Sequence, residues 1–250
     1  MRTVFDIGMY DGADTQYYLD SGYRVIAVEA NPFLVQRARE RFSVHIADNR
    51  LVCINAAITA DGAPAELTIS ADDLGSSSVL DSWVENKQPA GSVRVPGITM
   101  QKLLGDYGVP HFIKVDIEGA DRWCVLALTP DTHPQYLSFE VRADFEELLQ
   151  HAESIGFSRY KIINQLNFRE LGHERRLFDR VRLGAVRLLG YGNPELIRRH
   201  GRFFVSGHSS GPAPWSSDGK WRSAKGVADQ WRKAQASDPD NWRWYDVHAA

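Results

Sequence analysis

The feature that most constrains this chain is an alternation of two periodicities. Runs with the period of two expected of β-strands fall at residues 3–7, 24–29, 51–58, 112–117, 136–141, 159–163 and 202–206. Helical patterns lie between most of them, at 13–21, 32–42, 100–107, 120–128 and 143–155. Pro32 suits the first turn of its helix, and Gly156 follows the last turn of its own. Such alternation predicts an α/β fold built on a doubly wound, mostly parallel sheet of seven strands. Two stretches interrupt it. Residues 65–70 and 92–98 read as short extra strands around the loop D72-D-L-G-S-S-S78, and residues 168–201 separate the sixth strand from the seventh.

Strands of a parallel sheet are normally covered on both faces and apolar throughout. The run I113-K-V-D-I-E-G-A-D121 breaks that rule by setting Lys114, Asp116 and Glu118 among its apolar residues. Its position offers a reason, because open α/β sheets bind ligands at the carboxyl ends of their strands. At the first strand, D6-I-G-M-Y-D-G12 places Gly8 and Gly12 on the turn before a helix. Glycines there let a ligand approach the backbone, and a helix N-terminus presents free N–H groups. The same glycines also serve a tight turn that binds nothing. Their G-x-x-x-G spacing misses the dinucleotide fingerprint, which disfavours an NAD oxidoreductase. The second strand ends in Glu29, where a carboxylate can accept hydrogen bonds from both ribose hydroxyls and otherwise has no evident structural task.

At this point several motifs together resemble one family. V4-F-D-I-G-M-Y-D-G12, V28-E-A-N-P32, N55-A-A-I58, S76-S-S78, I113-K-V-D-I-E-G119, L137-S-F-E140 and F203-F-V-S-G-H-S-S-G-P212 are similar to FkbM-type S-adenosylmethionine-dependent methyltransferases. The resemblance implies a class I methyltransferase (Rossmann-like) fold whose last strand is antiparallel. It also implies O-methyl transfer to a hydroxyl of a sugar, glycan or related small-molecule acceptor. Carried over residue by residue, it assigns cofactor binding to Asp6, Gly8, Tyr10, Asp11, Gly12, Glu29, Ala30, Asn31, Asn55, Ala56 and Asp116. Asp6 would order the loop, Glu29 hold the ribose, and Asn55 with Ala56 border the adenine. Met9 and Tyr10, the long basic stretch 168–201 and the Trp-rich tail depart from the family pattern.

Methyl transfer from a sulfonium needs an oriented acceptor and the loss of one proton. Asp116, Glu118 and Glu140, at the ends of the fourth and fifth strands, are the candidate catalytic carboxylates. Three converging carboxylates either share protons or hold a divalent cation such as Mg2+, for which Asp116, Glu140 and His208 are the candidate ligands. For Lys114 a structural ion pair is the favoured reading, and Ser76 to Ser78 are either a lid or a plain turn.

Charge is unevenly spread. The chain carries a formal net charge of -3, yet residues 159–202 hold eleven Lys or Arg against four acids. Within them, E174-R-R-L-F-D-R-V-R-L-G-A-V-R-L-L189 has a helical apolar stripe flanked by arginines. It reads as a lid helix with snorkelling arginines, or as a helix that lies on a membrane surface or covers an anionic, phosphate-bearing or lipid-linked acceptor. Two cysteines in apolar runs, the absence of an apolar run of about 20 residues and a start without a signal-peptide pattern predict a cytoplasmic protein. Residues 1–210 are expected to form the methyltransferase domain. Residues 211–250, with five of the seven tryptophans, are expected to pack on the body or at a homodimer interface. Methylation of a nucleic acid is the competing enzymatic reading. It is disfavoured because D116-I-E-G119 stands where an Asn/Asp-Pro-Pro-aromatic turn would hold a base. A cofactor-binding partner without catalysis ranks last.

Overall fold

A computed structural model describes residues 1–70, 89–173, 196–206, 208–237 and 244–250. Ser76 to Ser78 and the 174–189 stretch lie outside the described residues. The chain begins β1 (Thr3–Ile7), α1 (Ala13–Asp20), β2 (Arg24–Glu29), α2 (Pro32–Arg41), α3 (Ser43–Ala47) and β3 (Leu51–Asn55). Four short strands follow, β4 (Ala57–Ile58), β5 (Ala65–Ser70), β6 (Pro89–Val95) and β7 (Gly97–Ile98), forming two small pairs beside the main sheet. The chain then runs through α4 (Met100–Tyr107), β8 (Phe112–Val115), α5 (Asp121–Val125), β9 (Tyr136–Glu140), α6 (Phe145–Ser154) and β10 (Tyr160–Asn164). It ends in a hairpin, β11 (Leu196–Arg199) and β12 (Arg202–Val205), then α7 (Ala224–Ser237) and β13 (Tyr245–Ala249).

The main sheet has seven strands in the order β10-β13-β9-β8-β1-β2-β3. All run parallel except β13, which pairs antiparallel with both β9 and β10. The seventh strand is therefore Tyr245–Ala249, and the 202–206 run is not in the sheet. Both segments have strand propensity, but only Y245-D-V-H-A249 strictly alternates apolar and polar residues, as a strand between two unlike layers must. Its Tyr245, Val247 and Ala249 join the core against α6 and α7, where Trp231 packs edge-on to Tyr245 and Phe145. The 202–205 strand pairs only with β11 and leaves Phe203 62% exposed.

The two faces of the sheet are unlike. Phe5, Ile7, Ile113, Val115, Leu137, Phe139 and Ile162 face the larger apolar cluster, covered by α4 to α7. On the other face α1 and α2 cover β1 to β3 with an apolar cluster that includes Tyr18, Leu19 and Ala38. Beyond β1 that face turns polar. The pairing registers place Asp6, Lys114, Ser138, His248 and Lys161 abreast on five successive strands. None of the five is more than 3% exposed.

The cover over this row is a loop rather than a helix, and a loop brings backbone groups that need partners. The sheet and α1 supply them. Lys161 donates to the Ser217 carbonyl at 2.7 Å, and the Ser217 hydroxyl lies 2.9 Å from His248 Nδ1. Asp14 accepts from the Ser210 amide at 2.9 Å and from the Ser209 hydroxyl. Trp221 closes over Lys161, with Nζ 4.4 Å from the ring centre, and burial lowers that ammonium's pKa to about 8. Trp215 seals the amino end of this face among Tyr23, His111, Phe112 and Tyr136.

Candidate active site

The carboxyl ends of β1, β2, β3 and β8 form one rim. At its centre Gly8 takes φ +84°, and a Cβ there would lie 1.8 Å from the Asp116 backbone oxygen. Gly12 takes φ +81°, and its Cβ would meet the Phe42 ring at 2.7 Å. Both glycines thus answer to packing within the chain. The first lets the β1 loop lie directly on the D116-I-E-G119 turn, joining the two motifs into one wall.

Beneath that wall sits Lys114, whose ammonium donates to the Gly8 carbonyl at 2.8 Å. It lies 3.5 Å from Asp6, 3.6 Å from Asp116 and 3.7 Å from Asp14, with its side chain only 4% exposed. Burial alone would lower its pKa, but Asp6, Asp116 and Asp14 more than offset this and hold it charged. Asp6 is fully enclosed and accepts from the Thr15 hydroxyl at 2.6 Å, so it orders the loop from below. The ion pair expected of Lys114 is therefore present and larger than a pair.

Glu29 does have a structural task. Its two oxygens accept from the Tyr10 amide at 2.9 Å and the Asn31 amide at 2.8 Å, clamping the β1 loop to the turn after β2. Burial raises its pKa to about 6 even so, although the residue keeps partial access to solvent. Asn31 is buried and caps α2 by accepting from the Phe33 amide. Asn55 donates to the carbonyls of Glu29 and Ala30 at 3.0 and 2.9 Å, and the Ala56 amide donates to the Glu29 carbonyl at 3.1 Å. Ala30 itself is half-buried on that turn. Asp11 is exposed and accepts from the Ala13 amide, while its other oxygen lies 3.4 Å from His208 Nδ1. Tyr10 meets His208 at a tilt of 52°, with ring centres 5.4 Å apart.

On the far side of the rim the three candidate carboxylates part company. Arg142 pairs with Glu118 at 3.0 Å and with Glu140, binding both to one guanidinium. Burial still raises the pKa of Glu140 well above the usual range, with Arg142 opposing that rise. Asp116 stays clear of Arg142, and its side chain is 30% exposed at the rim. His208 lies over Asp11 and Tyr10 instead of beside Asp116 and Glu140, so the expected metal ligands are not brought together. Among the described residues no group of three or more His, Cys, Asp or Glu could hold a metal ion. The physical reason is Arg142, which neutralises Glu118 and Glu140 where a cation would have done so.

Three acids that the sequence reading gave no role belong to this site. Asp121 accepts from the Ile117 amide at 3.1 Å and the Glu140 amide at 3.0 Å, tying the D116-I-E-G119 turn to the end of β9. Burial raises its pKa to about 6. Asp14 draws the 209–210 segment onto α1. Asp246 stands beside Glu140 in register, 1% exposed, with one oxygen accepting from Gln165 at 2.7 Å and Oδ2 without a hydrogen-bond partner. Burial, then the charge of Asp116, drives its pKa well above the normal range. The alternation of the 245–249 run was the signal that could have placed it.

A seven-stranded sheet with one antiparallel strand beside its edge, and a loop-and-acid rim at the carboxyl ends of its first strands, is the class I methyltransferase fold. The family follows from the sequence: the model of the methyltransferase FkbM domain matches residues 6–173, and the chain belongs to that family. No curated protein matches it. Among solved structures it is similar to precorrin-6y C5,15-methyltransferase from Geobacter metallireducens, at 12% identity and a TM-score of 0.39, over 65% of this chain and 66% of that one. It is also similar to methyltransferase FkbM from Methylobacillus flagellatus, at 16% identity and 0.35, over 55% and 32% of the two chains. A third is phosphoethanolamine N-methyltransferase 2 from Haemonchus contortus, solved with S-adenosyl-L-methionine, at 11% identity and 0.35, over 100% and 48%.

Proposed function

We propose that this methyltransferase uses S-adenosylmethionine to methylate a hydroxyl of a sugar, glycan or related small-molecule acceptor, with Asp116 as the base. One observation carries the reading: Asp116 is the rim carboxylate that Lys114 anchors from below and Arg142 leaves free, directly against the Gly8 loop.

The donor set suits the cofactor. Each Glu29 oxygen takes one backbone N–H, and a carboxylate offers about four acceptor positions, which leaves room for a ribose diol. Asn55 and Asn31 fix the turn that carries Glu29, so the diol contact is built before any ligand arrives. When bound, the cofactor supplies an electrophilic methyl group on a cationic sulfonium.

The chain's own residues supply orientation and proton removal. A hydroxyl oriented at Asp116 would give up its proton to that carboxylate, leaving its oxygen free to take the methyl group that the cofactor would supply. Lys114 holds Asp116 in place without covering it. Arg142, tied to Glu118 and Glu140, forms a fixed wall on the acceptor side.

Calorimetry with S-adenosylmethionine and with its demethylated product tests the cofactor assignment. Micromolar binding, weakened at least tenfold by Glu29→Ala, is the expected result; binding of NAD in their place would overturn it. A screen of nucleotide sugars and glycans with methyl-labelled cofactor tests the acceptor. Full turnover by Asp116→Asn would remove Asp116 as the base.

A further inference from the structure

Six large hydrophobic side chains are notably exposed among the described residues, and three of them are aromatic: Phe33 at 61%, Phe203 at 62% and Trp244 at 46%. The topology brings all three to the rim end of the sheet. Phe33 lies in the first turn of α2, directly after the carboxyl end of β2. Trp244 precedes the antiparallel β13, whose start lies at the carboxyl ends of its neighbours, and its carbonyl accepts from the Gln165 amide just past β10. Phe203 belongs to the β11–β12 hairpin, which is bonded to the same end through Ser206 to the Leu166 carbonyl and Arg199 to the Asn167 carbonyl. Met1, Val44 and Val109 lie toward the opposite end, before strands of the parallel set begin.

The hairpin adds charge to these rings. Register pairs Arg198 with Phe203 and Arg199 with Arg202, with His200 at the turn. The inward face carries Phe204, packed on Tyr17 and Phe168, so the hairpin is fastened by its own core contact. Its outward face presents Arg198 and Phe203 together, the guanidinium 5.9 Å from the ring centre. In the sequence, five further arginines between 175 and 187 precede it, on a chain whose net charge is -3.

We propose that the rim end of this protein docks on an anionic phospholipid surface, with Phe33, Phe203 and Trp244 entering the interface and Arg198, beside Phe203, facing the headgroups. Aromatic rings favour the boundary between apolar and wet layers, and basic side chains beside them add electrostatic attraction to anionic lipid. A soluble polyanion would draw on the arginines but leave the outward Phe203 exposed, which is why a bilayer fits better. The crevice would then open toward the surface, so the acceptor would be one carried by lipid. That last step rests on the function proposed above, whereas docking does not.

Flotation of the full chain with vesicles tests it, comparing phosphatidylcholine alone with phosphatidylcholine containing 30% phosphatidylglycerol by recipe. Binding to the anionic vesicles only, lost in high salt, is expected. Arg198→Glu should weaken it at least tenfold, and so should Phe203→Ser, while S-adenosylmethionine affinity, read by calorimetry, stays within twofold. The milder Arg198→Gln, expected to weaken binding severalfold, guards against a folding defect in the charge-reversed variant. No flotation, flotation undiminished by these changes, or binding to a polyanion such as heparin without binding to vesicles would each overturn the proposal. Failure of cofactor binding in the unaltered chain would instead count against the proposed function.

Discussion

Replacing Lys114 by methionine removes the one ammonium that Asp6, Asp14 and Asp116 share, while filling nearly the same volume. Each carboxylate lies 3.5 to 3.7 Å from Nζ. At an effective dielectric of about 20, each such contact is worth about 4 kcal/mol of attraction, most of it offset by desolvation. Removing one partner of a buried ionic group leaves uncompensated charge and costs about 3–5 kcal/mol. For a chain of this size that lowers Tm by about 6–20 °C. The loss should depend on pH in a definite direction. Burial already raises Asp14 to about 6, with Lys114 opposing the rise, so the variant pushes it higher. A carboxyl raised in the folded state contributes stability that is present at low pH and lost as pH climbs through its folded pKa. The variant should therefore be closer to the parent at pH 5.5 than at pH 7.5. Urea unfolding followed by tryptophan fluorescence at both pH values measures this. A penalty below about 1 kcal/mol at pH 7.5, or one that does not shrink on acidification, would refute the view that Lys114 holds the site together.

Other outcomes follow from the same geometry. Gly8→Ala forces a Cβ to 1.8 Å from the Asp116 oxygen in a left-handed backbone, so it should cost about 3 kcal/mol and at least tenfold in cofactor affinity by calorimetry. Asp121→Asn turns an amide N–H toward one of the two backbone N–H donors it now accepts from; it should cost about 1–3 kcal/mol and lower turnover more than cofactor affinity. Lys161, depressed to about 8 by burial, should titrate there by carbon NMR of its side chain. Because the unfolded chain binds its proton more tightly, Lys161 makes stability rise with pH between about 8 and 10.4, a slope that Lys161→Met should remove. A chain cut after Ser237 lacks β13 and leaves β9 and β10 without their shared partner, so it should fail to give a cooperative thermal transition.

Much of this molecule was legible without coordinates because it depends on local rules. The order of the main strands and helices up to β10 follows from periodicity and from start and stop signals such as Pro32 and Gly156. The rim motifs stand out because charge at the end of a buried strand is anomalous wherever it occurs. What sequence alone could not decide was pairing between residues far apart. The 202–205 and 245–249 runs are both plausible strands. Only the tertiary structure shows that β9 and β10 take the second between them, bringing Asp246 to the site. Glu118, Glu140 and Asp116 look alike as three acids at strand ends, and Arg142 separates them by binding two and leaving one. The charge on the 113–121 run has the same explanation: Lys114 is buried against the Gly8 carbonyl, Asp6 and Asp14, 100 or more residues upstream, and no local pattern can name a partner so distant.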